Sequence, residues 1–600
     1  MLDVDGNKGD YYHFLFNANG NYGVEYRTQG GYVGSEVENF KLYTGTNIEK
    51  DKWVIEIVIP YSSLTLERIK EKILLNFARN RRVDLSRLEE SSIGKGGQYN
   101  NPDVFVPVEI KGVDTNLYAI GLKTPEVIET KEEGGKIKAQ IKLGINNPTE
   151  KDREIEVGIY EERIGVLDTI KAGIEKGKEK EITEEVVVPG DNEYKIGIDI
   201  KDKGKTIYSS IFPMKITYTP IEIEMLRPFY RNTIYSTQKI DKIKVKIKLG
   251  LKEEEIKGSG GEVVIEDESK KEIVKEVFTP EKEKILEIKI PELKEGEYKV
   301  IVKIKNKERE IEKSISLYKV PPAKGNEVYV DEELNLVVNG KVMMPLIWWG
   351  GSPFEEIAKT GADGIICDWK NLDELKALGK YGEVMLFGGN ESKRYWVGKE
   401  TLSEEAIKVI TEKVNAVKDH PSFLLYYLVD EPEGRSLSPK ILKETYELIK
   451  KLDPHHSLQI TNNSVGAIRT YIECADLFFP DPYVCPLVNG KLTREMSYII
   501  LFMKEIQEAG KGKKFIGITP QVFDYGKVYA AQPPYDTRGN RAPSFVEERC
   551  MDYLGIVYGA KGFNYYKYGS DCGAVNIPDL RVGMPYLIKE KKSLEEVILL

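Results

Sequence analysis

Hydrophobic and polar residues alternate along the first 113 residues with the period of two that a half-buried strand requires. YYHFLF, NYGVEY, KWVIEIVIP, KILLNFARN and VFVPVEI are such runs, and clusters of Gly, Asn and Asp separate them. The pattern predicts a β-sandwich. From 114 to 218 the alternation sets Lys and Glu against Ile and Val (GKIKAQIKLGI, REIEVGIY, YKIGIDI), and from 219 to 320 it recurs (KIKVKIKLGL, ILEIKI, EYKVIVKIK). Two further sandwiches of about 100 residues, the size of an immunoglobulin-like domain, are expected there. Their charged positions belong on solvated outer faces.

After Pro321-Pro322, a stiff linker, short apolar runs alternate with amphipathic stretches. NLVVNGKVMM predicts a hairpin turning on Asn339-Gly340. Strands are then expected at PLIWWG, GADGIICDW, EVMLFGG, FLLYYLVDEP, SLQITNN, ADLFFPDPY, KFIGITPQVF and GFNYYKYG. SEEAIKVITEKVNAVKD, SPKILKETYELIKKL, TREMSYIILFMKEIQEAG and SFVEERCMDYLGIVYGA read as helices between them. Eight strands with intervening helices fit a (β/α)8 TIM barrel over 321–600. WWGGSPF is a poor match to the Gly-rich turn that a doubly wound sheet needs. The expected fold is therefore multidomain: β-sandwiches at 1–113, 114–218 and 219–320, then the barrel.

Composition supports folded cores, with 41% hydrophobic and 10% aromatic residues in a 600-residue chain. The formal charge of -9, from 88 Lys+Arg and 97 Asp+Glu, supplies no basic field for a phosphate backbone, so nucleic acid is not an expected partner. No apolar run approaches the ~20 residues of a membrane helix, and MLDVDGNKGD lacks the basic flank and apolar core of a signal peptide. A soluble chain is expected. Charged residues reach 31% with only four histidines, and Lys greatly outnumbers Arg, a balance associated with heat-adapted proteins. The five cysteines (Cys367, Cys474, Cys485, Cys550, Cys572) form no CxxC pair, and no HExxH, GxSxG or P-loop occurs. No metal or other cofactor is expected.

In a barrel of this kind the chemistry sits where the strands end. The residues closing the expected strands are Trp348 and Trp349, Asp368 and Trp369, Asn390 and Glu391, Asp430 and Glu431, Asn462 and Asn463, Asp481 and Tyr483, Gln521 and Asp524, and Tyr566 and Tyr568. A ring of carboxylates, amides and aromatics suits a sugar, whose faces stack on rings and whose hydroxyls need paired donors and acceptors. Every tryptophan but Trp53 falls in this region, and at least two of Trp348, Trp349, Trp369 and Trp396 are expected to line the pocket.

The segment LVDEP, with Asp430, Glu431 and Pro432 closing the fourth strand, resembles the Asn-Glu-Pro strand end of clan A glycoside hydrolases. The resemblance implies that Glu431 is the general acid/base. Asp430 stands where the clan has Asn, and a carboxylate beside Glu431 raises one of the two pKa values. The clan's second carboxylate closes strand seven, where this chain has Gln521, which cannot act as that nucleophile. Three sources of a second carboxylate remain open: Asp524 reaching inward, Asp481 on strand six, or Asp430 orienting a 2-acetamido group of the substrate. The alternative is a non-catalytic carbohydrate-binding or scaffold protein that keeps a glycosidase-like barrel.

A second resemblance lies in the first 113 residues. Trp53, Glu56, Ile59, Pro60, Leu64, Asn76 and Arg79 follow the WxxExxIPxxxL and N-x-x-R spacing of the family 9 carbohydrate-binding modules, without that family's opening strands, so a shortened module is expected. Tyr11, Tyr12, Tyr22, Tyr26 and Tyr32 offer a stacking surface or a core. Together the resemblances imply a glycosidase acting on an oligo- or polysaccharide, placed outside the cytoplasm (extracellular or periplasmic). The aromatic stretch PFYRNTIYS (228–236) suggests packing against a neighbouring domain, and SLEEVILL (593–600) ends within or just after the eighth helix, leaving room for a longer source protein.

Overall fold

The computed structural model describes residues 1–600 apart from 28–34, 37–39, 50–51, 65–68, 83–87, 95–101, 307–309, 351–352, 436, 486, 489–490, 493, 531–540, 570–571 and 600. Tyr32 lies outside the described residues.

Each alternating run becomes a strand. Residues 1–113 form a six-stranded sheet in the order 106–109, 72–75, 2–3, 11–16, 22–27, 35–36, accompanied by the hairpins 43–48/53–58 and 78–82/88–92. Tyr11 and Tyr12 are core residues, 5% and 0% exposed, so neither offers a stacking face. Of the spaced motif, Asn76 is fully buried, its Oδ1 accepting from Ser92 Oγ (2.8 Å) and Gly94 N (3.0 Å), and Leu64 is buried, whereas Trp53 is exposed. Residues 121–216 form two four-stranded sheets, and 221–319 form one of three strands and one of five. The Ile and Val of each alternation face inward between sheets, while the Lys and Glu pair across the outer faces, as Lys142 does with Glu181 at 2.6 Å. Apolar side chains of the first two units, among them Tyr12, Phe40 and Leu64 with Ile137 and Ile198, merge into one buried cluster.

After the linker, the strands 328–330, 336–338 and 341–343 form a small sheet whose hairpin has both Asn339 (φ 52°) and Gly340 (φ 77°) left-handed, as a type I′ turn requires. The barrel strands follow: β1 (Leu346–Trp349), β2 (Gly364–Cys367), β3 (Tyr381–Met385), β4 (Phe423–Asp430), β5 (Leu458–Thr461), β6 (Leu477–Phe478), β7 (Phe515–Ile516) and β8 (Phe563–Tyr565). They pair in parallel in sequence order, with β8 beside β1. The sheet closes on itself through the parallel bridge Ile518–Phe563, where Ile518 N donates to Gly562 O (3.0 Å) and Asn564 N to Ile518 O (2.9 Å).

The helices begin where the sequence supplies caps: Ser403 Oγ accepts from Ala406 N, Ser438 precedes Pro439 at the first helical position, and Ser544 forms a capping box with Glu547. Alternation along each strand then divides the side chains. Ile347, Ile366, Leu425, Tyr427, Leu477 and Phe479 join the small sheet's Val328, Val330 and Leu336 in one cluster that fills and floors the barrel. Leu346, Trp348, Ile365, Cys367, Tyr426 and Leu428 face the helices.

The stretch 228–236 does pack on its neighbour. Tyr230 OH donates to Ser457 Oγ (2.9 Å), Tyr235 OH to Pro454 O (3.0 Å), and Arg231 pairs with Asp476 at 2.5 Å. Ser457 and Asp476 lie just before β5 and β6, so the third sandwich braces the barrel at the end opposite the strand termini that carry the pocket. Among the described residues, no helix is long and apolar enough to cross a membrane.

Candidate active site

The carboxyl ends of β1, β4, β5, β6, β7 and β8 surround a cavity of about 350 Å³. Trp349, Asp430, Glu431, Asn463, Asp481, Tyr483 and Tyr566, all read from the sequence as site residues, line it together with Thr461, Arg494, Thr519, Phe523, Tyr525 and Val528.

Glu431 owes its place to the backbone. Its amide donates to Thr461 O (3.0 Å), continuing the β4–β5 pairing, and its φ of 43° puts it in the left-handed region just before Pro432. A bulky residue held there carries strain that the surrounding strands must maintain, a pattern that clusters at functional sites. Asp481 comes from the chain leaving β6: its amide donates to Asn462 O (3.1 Å), and the residue is 3% exposed. Burial and the negative charges of Glu431 and Asp430 hold the Asp481 carboxyl well above the ordinary carboxylate range, and a hydrogen bond with the Glu431 carboxyl acts in the same direction. The Asp481 carboxyl therefore keeps its proton to higher pH than an ordinary carboxyl, as a buried acid beside like charges must. Among the described residues lining the pocket, Asp481 Oδ1 alone is a buried side-chain polar atom with no hydrogen-bond partner.

Asp430 receives Tyr427 OH on Oδ1 (2.9 Å) and Arg435 Nη2 on Oδ2 (3.2 Å). Burial, then the charge of Glu431, push its carboxyl up to about 6 despite these partners. Trp349 stands edge-on to Tyr427 (5.4 Å) and to Tyr566 (5.3 Å), while Phe523 packs on Tyr483 and Tyr566, giving one aromatic wall. Burial pushes the Tyr566 phenol up to about 12, so it remains a hydrogen-bond donor.

The raised Asp430 carboxyl predicts a stability effect. Its folded pKa lies above its ordinary value of 3.8, so its full contribution is present below that value and is lost as the pH rises to about 6. The side chain is 29% exposed, and the loss amounts to about 3 kcal/mol. Asp430→Asn should thus gain on the wild type between pH 4 and 6, with a constant advantage above, in urea denaturation across that range. Equal pH dependence of the two proteins would remove the assignment.

Several expected site residues are placed elsewhere. Trp348 is fully buried on the helix side of β1, its Nε1 donating to Thr360 Oγ1 (3.1 Å), because neighbouring strand positions face opposite ways and Trp349 takes the pocket side. Trp396 is buried against Phe387, and Trp369 packs among the helix-side residues, so Trp349 alone of the four lines the pocket. Asp368 is exposed and caps the turn Trp369–Asn371 by accepting from Lys370 N (3.1 Å). Asp524 accepts from Gly526 N (3.0 Å) and Lys527 N (3.3 Å) at the start of the helix Tyr525–Ala530, so it does not reach inward. Gln521 is fully buried as a loop clamp, accepting from Cys485 N (3.1 Å) and donating to Phe523 O and Arg541 O (both 3.2 Å). Asn462 lies behind the wall with Nδ2 on Glu433 Oε2 (2.9 Å), Glu391 pairs with Lys413, and Tyr568 packs on Trp348.

Sequence reading missed Arg494 and Phe523, which lie outside any motif, Tyr525 at the start of the helix Tyr525–Ala530, and Glu433, which the acidic repeat E-P-E could have flagged. Among the described residues no group of three or more His, Cys, Asp or Glu gathers to hold a metal ion.

No family model matches the sequence, and no curated protein matches it. Similar solved structures include a β-D-glucuronidase from Dictyoglomus thermophilum, 12% identical, with 86% of this chain and 97% of that one covered and a TM-score of 0.31. The Ruminococcus gnavus β-glucuronidase is 11% identical over 72% and 81% of the two chains (TM-score 0.30). The Parabacteroides merdae β-glucuronidase is 12% identical over 74% and 64% (TM-score 0.27).

Proposed function

We propose that the chain is a glycoside hydrolase, with Glu431 as the proton donor to the leaving oxygen. The observation that carries this is the convergence of Asp430, Glu431 and Asp481 on one aromatic-walled pocket at the carboxyl end of the barrel. A general acid must hold a proton near neutrality, and Asp481, held well above the ordinary carboxylate range by burial and by the charge of Glu431, keeps one in the pocket beside Glu431. Asp430, ionised above about 6, provides negative charge beside the oxocarbenium-like centre that glycoside cleavage creates. Trp349, Tyr483 and Tyr566 offer ring faces and hydroxyls to a sugar, and Asn463 an amide. Asp481, released from Glu431 when a sugar enters, is the second carboxylate in place of the strand-seven residue that Gln521 replaces. The substrate is an oligo- or polysaccharide met outside the cytoplasm, and the N-terminal sheet is a carbohydrate-binding module.

The test is a panel of aryl glycosides and natural glycans, followed by Asp430→Asn and Asp481→Asn on the substrate cleaved fastest. Asp481→Asn should cost at least about 100-fold in kcat, whereas Asp430→Asn should be milder. The reverse order would favour a 2-acetamido group held by Asp430 and activity confined to N-acetylated sugars. One observation favours a second reading, a carbohydrate-binding barrel without catalysis: Glu431 and Asp481 touch each other, whereas separated pairs stand about 5 Å or more apart to flank the bond. Sugar binding without turnover of any glycoside would select it.

A further inference from the structure

Glu433 lies two residues beyond Glu431, on the turn Glu433–Arg435, and belongs to none of the roles above. Its carboxylate collects three donors from the chain leaving β5: Asn462 Nδ2 (2.9 Å) on Oε2, and Asn463 N (2.7 Å) and Ser464 N (3.1 Å) on Oε1. Asn463 is itself pocket wall, and the carbonyl of Asn462 accepts the amide of Asp481 (3.1 Å). One side chain therefore joins the loop that carries Glu431 to the two loops that carry Asn463 and Asp481. The arrangement is costly, since burial pushes the Glu433 carboxyl up to about 7 and the nearby Glu431 adds to the rise.

We propose that Glu433 is a positioning residue: its grip on Asn462, Asn463 and Ser464 sets where Asp481, hung from the Asn462 carbonyl, meets the Glu431 carboxyl in the pocket. The proposal rests on the glycosidase reading, and its test separates the two. Glu433→Gln and Glu433→Ala both remove the charge, but only Ala removes the grip, because a Gln carbonyl can accept from Asn463 N and Ser464 N and its amide can meet the unpartnered Oδ1 of a flipped Asn462. On the glycoside the wild type cleaves best, Gln should keep kcat within about threefold, while Ala should lower kcat by about 10- to 100-fold with KM little changed, the scale of a misplacement near 1 Å. Equal rates in the two variants, or a near-wild-type Ala, would overturn the proposal.

Crystal structures of the two variants give a readout independent of turnover. The Glu431–Asp481 contact should persist in Gln and be lost in Ala, and a contact retained in Ala overturns positioning whether or not any glycoside is cleaved. Failure of the glycosidase reading would show separately, as a wild type that turns over nothing. If Glu433→Ala does not fold, Glu433→Asp replaces it, keeping the charge on a side chain one methylene too short to span all three donors. It should lose the contact as Ala does, and a wild-type kcat with the contact intact would overturn the proposal.

Discussion

Replacing Glu431 by Gln should leave the protein folded and lower glycoside turnover by at least about 100-fold, the contribution of a general acid that transfers its proton in the transition state. The change is close to isosteric. The backbone interaction that places the residue, Glu431 N to Thr461 O, does not involve the side chain, so the left-handed conformation at φ 43° persists. What disappears is the transferable proton and the charge that, after burial, most raises the Asp481 carboxyl. The measurement is kcat/KM on the best substrate, beside a denaturation midpoint that should not fall. Turnover at the wild-type rate would remove Glu431 from the chemistry and leave the pocket as a binding site.

Asp476→Ala should destabilise the protein by about 3–5 kcal/mol, the cost of leaving a buried charge without its partner. Arg231 and Asp476 are 6% and 5% exposed in their side chains, and the Asp476 carboxylate also accepts from Tyr446 OH (2.8 Å) and Leu458 N (3.0 Å). Truncation thus orphans a guanidinium from the third sandwich and two donors of the barrel together. Burial raises the Asp476 carboxyl, but the charge and hydrogen bond of Arg231, with the Leu458 amide and Lys514, together turn the net direction downward. The contribution is present above the ordinary value of 3.8 and is lost as the pH falls below it. Urea denaturation of wild type, Asp476→Ala and the double variant Arg231→Met/Asp476→Leu checks this. The double variant should recover most of the loss, since apolar replacement of both partners abolishes the desolvation cost along with the pair. A single variant within 1 kcal/mol of wild type would show that the interface does not depend on the ion pair.

The division into alternating sheets and a β/α region was legible because strands that are half buried must alternate, and buried parallel strands must not. The Asn339-Gly340 turn was legible for the same local reason, since few residue pairs accept two successive left-handed positions. Glu431 was legible as the end of an apolar strand followed by proline. The boundary between the first two units was not, because their apolar faces merge into one cluster and no sequence signal marks which faces meet.

Local pattern alone thus determined which segments are strands and helices, their order, and which strand ends could carry chemistry. Tertiary structure decided which of those ends face the pocket. Trp348 and Trp349 are adjacent and chemically identical, yet the direction of the pleat sends one to the helices and one to the cavity. Asp481 and Asp524 looked equivalent, but Asp524 caps a helix while Asp481 meets Glu431 across the barrel mouth, 50 residues away in sequence. The raised Asp481 carboxyl depends on burial and on like charges brought together, and both are properties of distances that only the closed barrel defines.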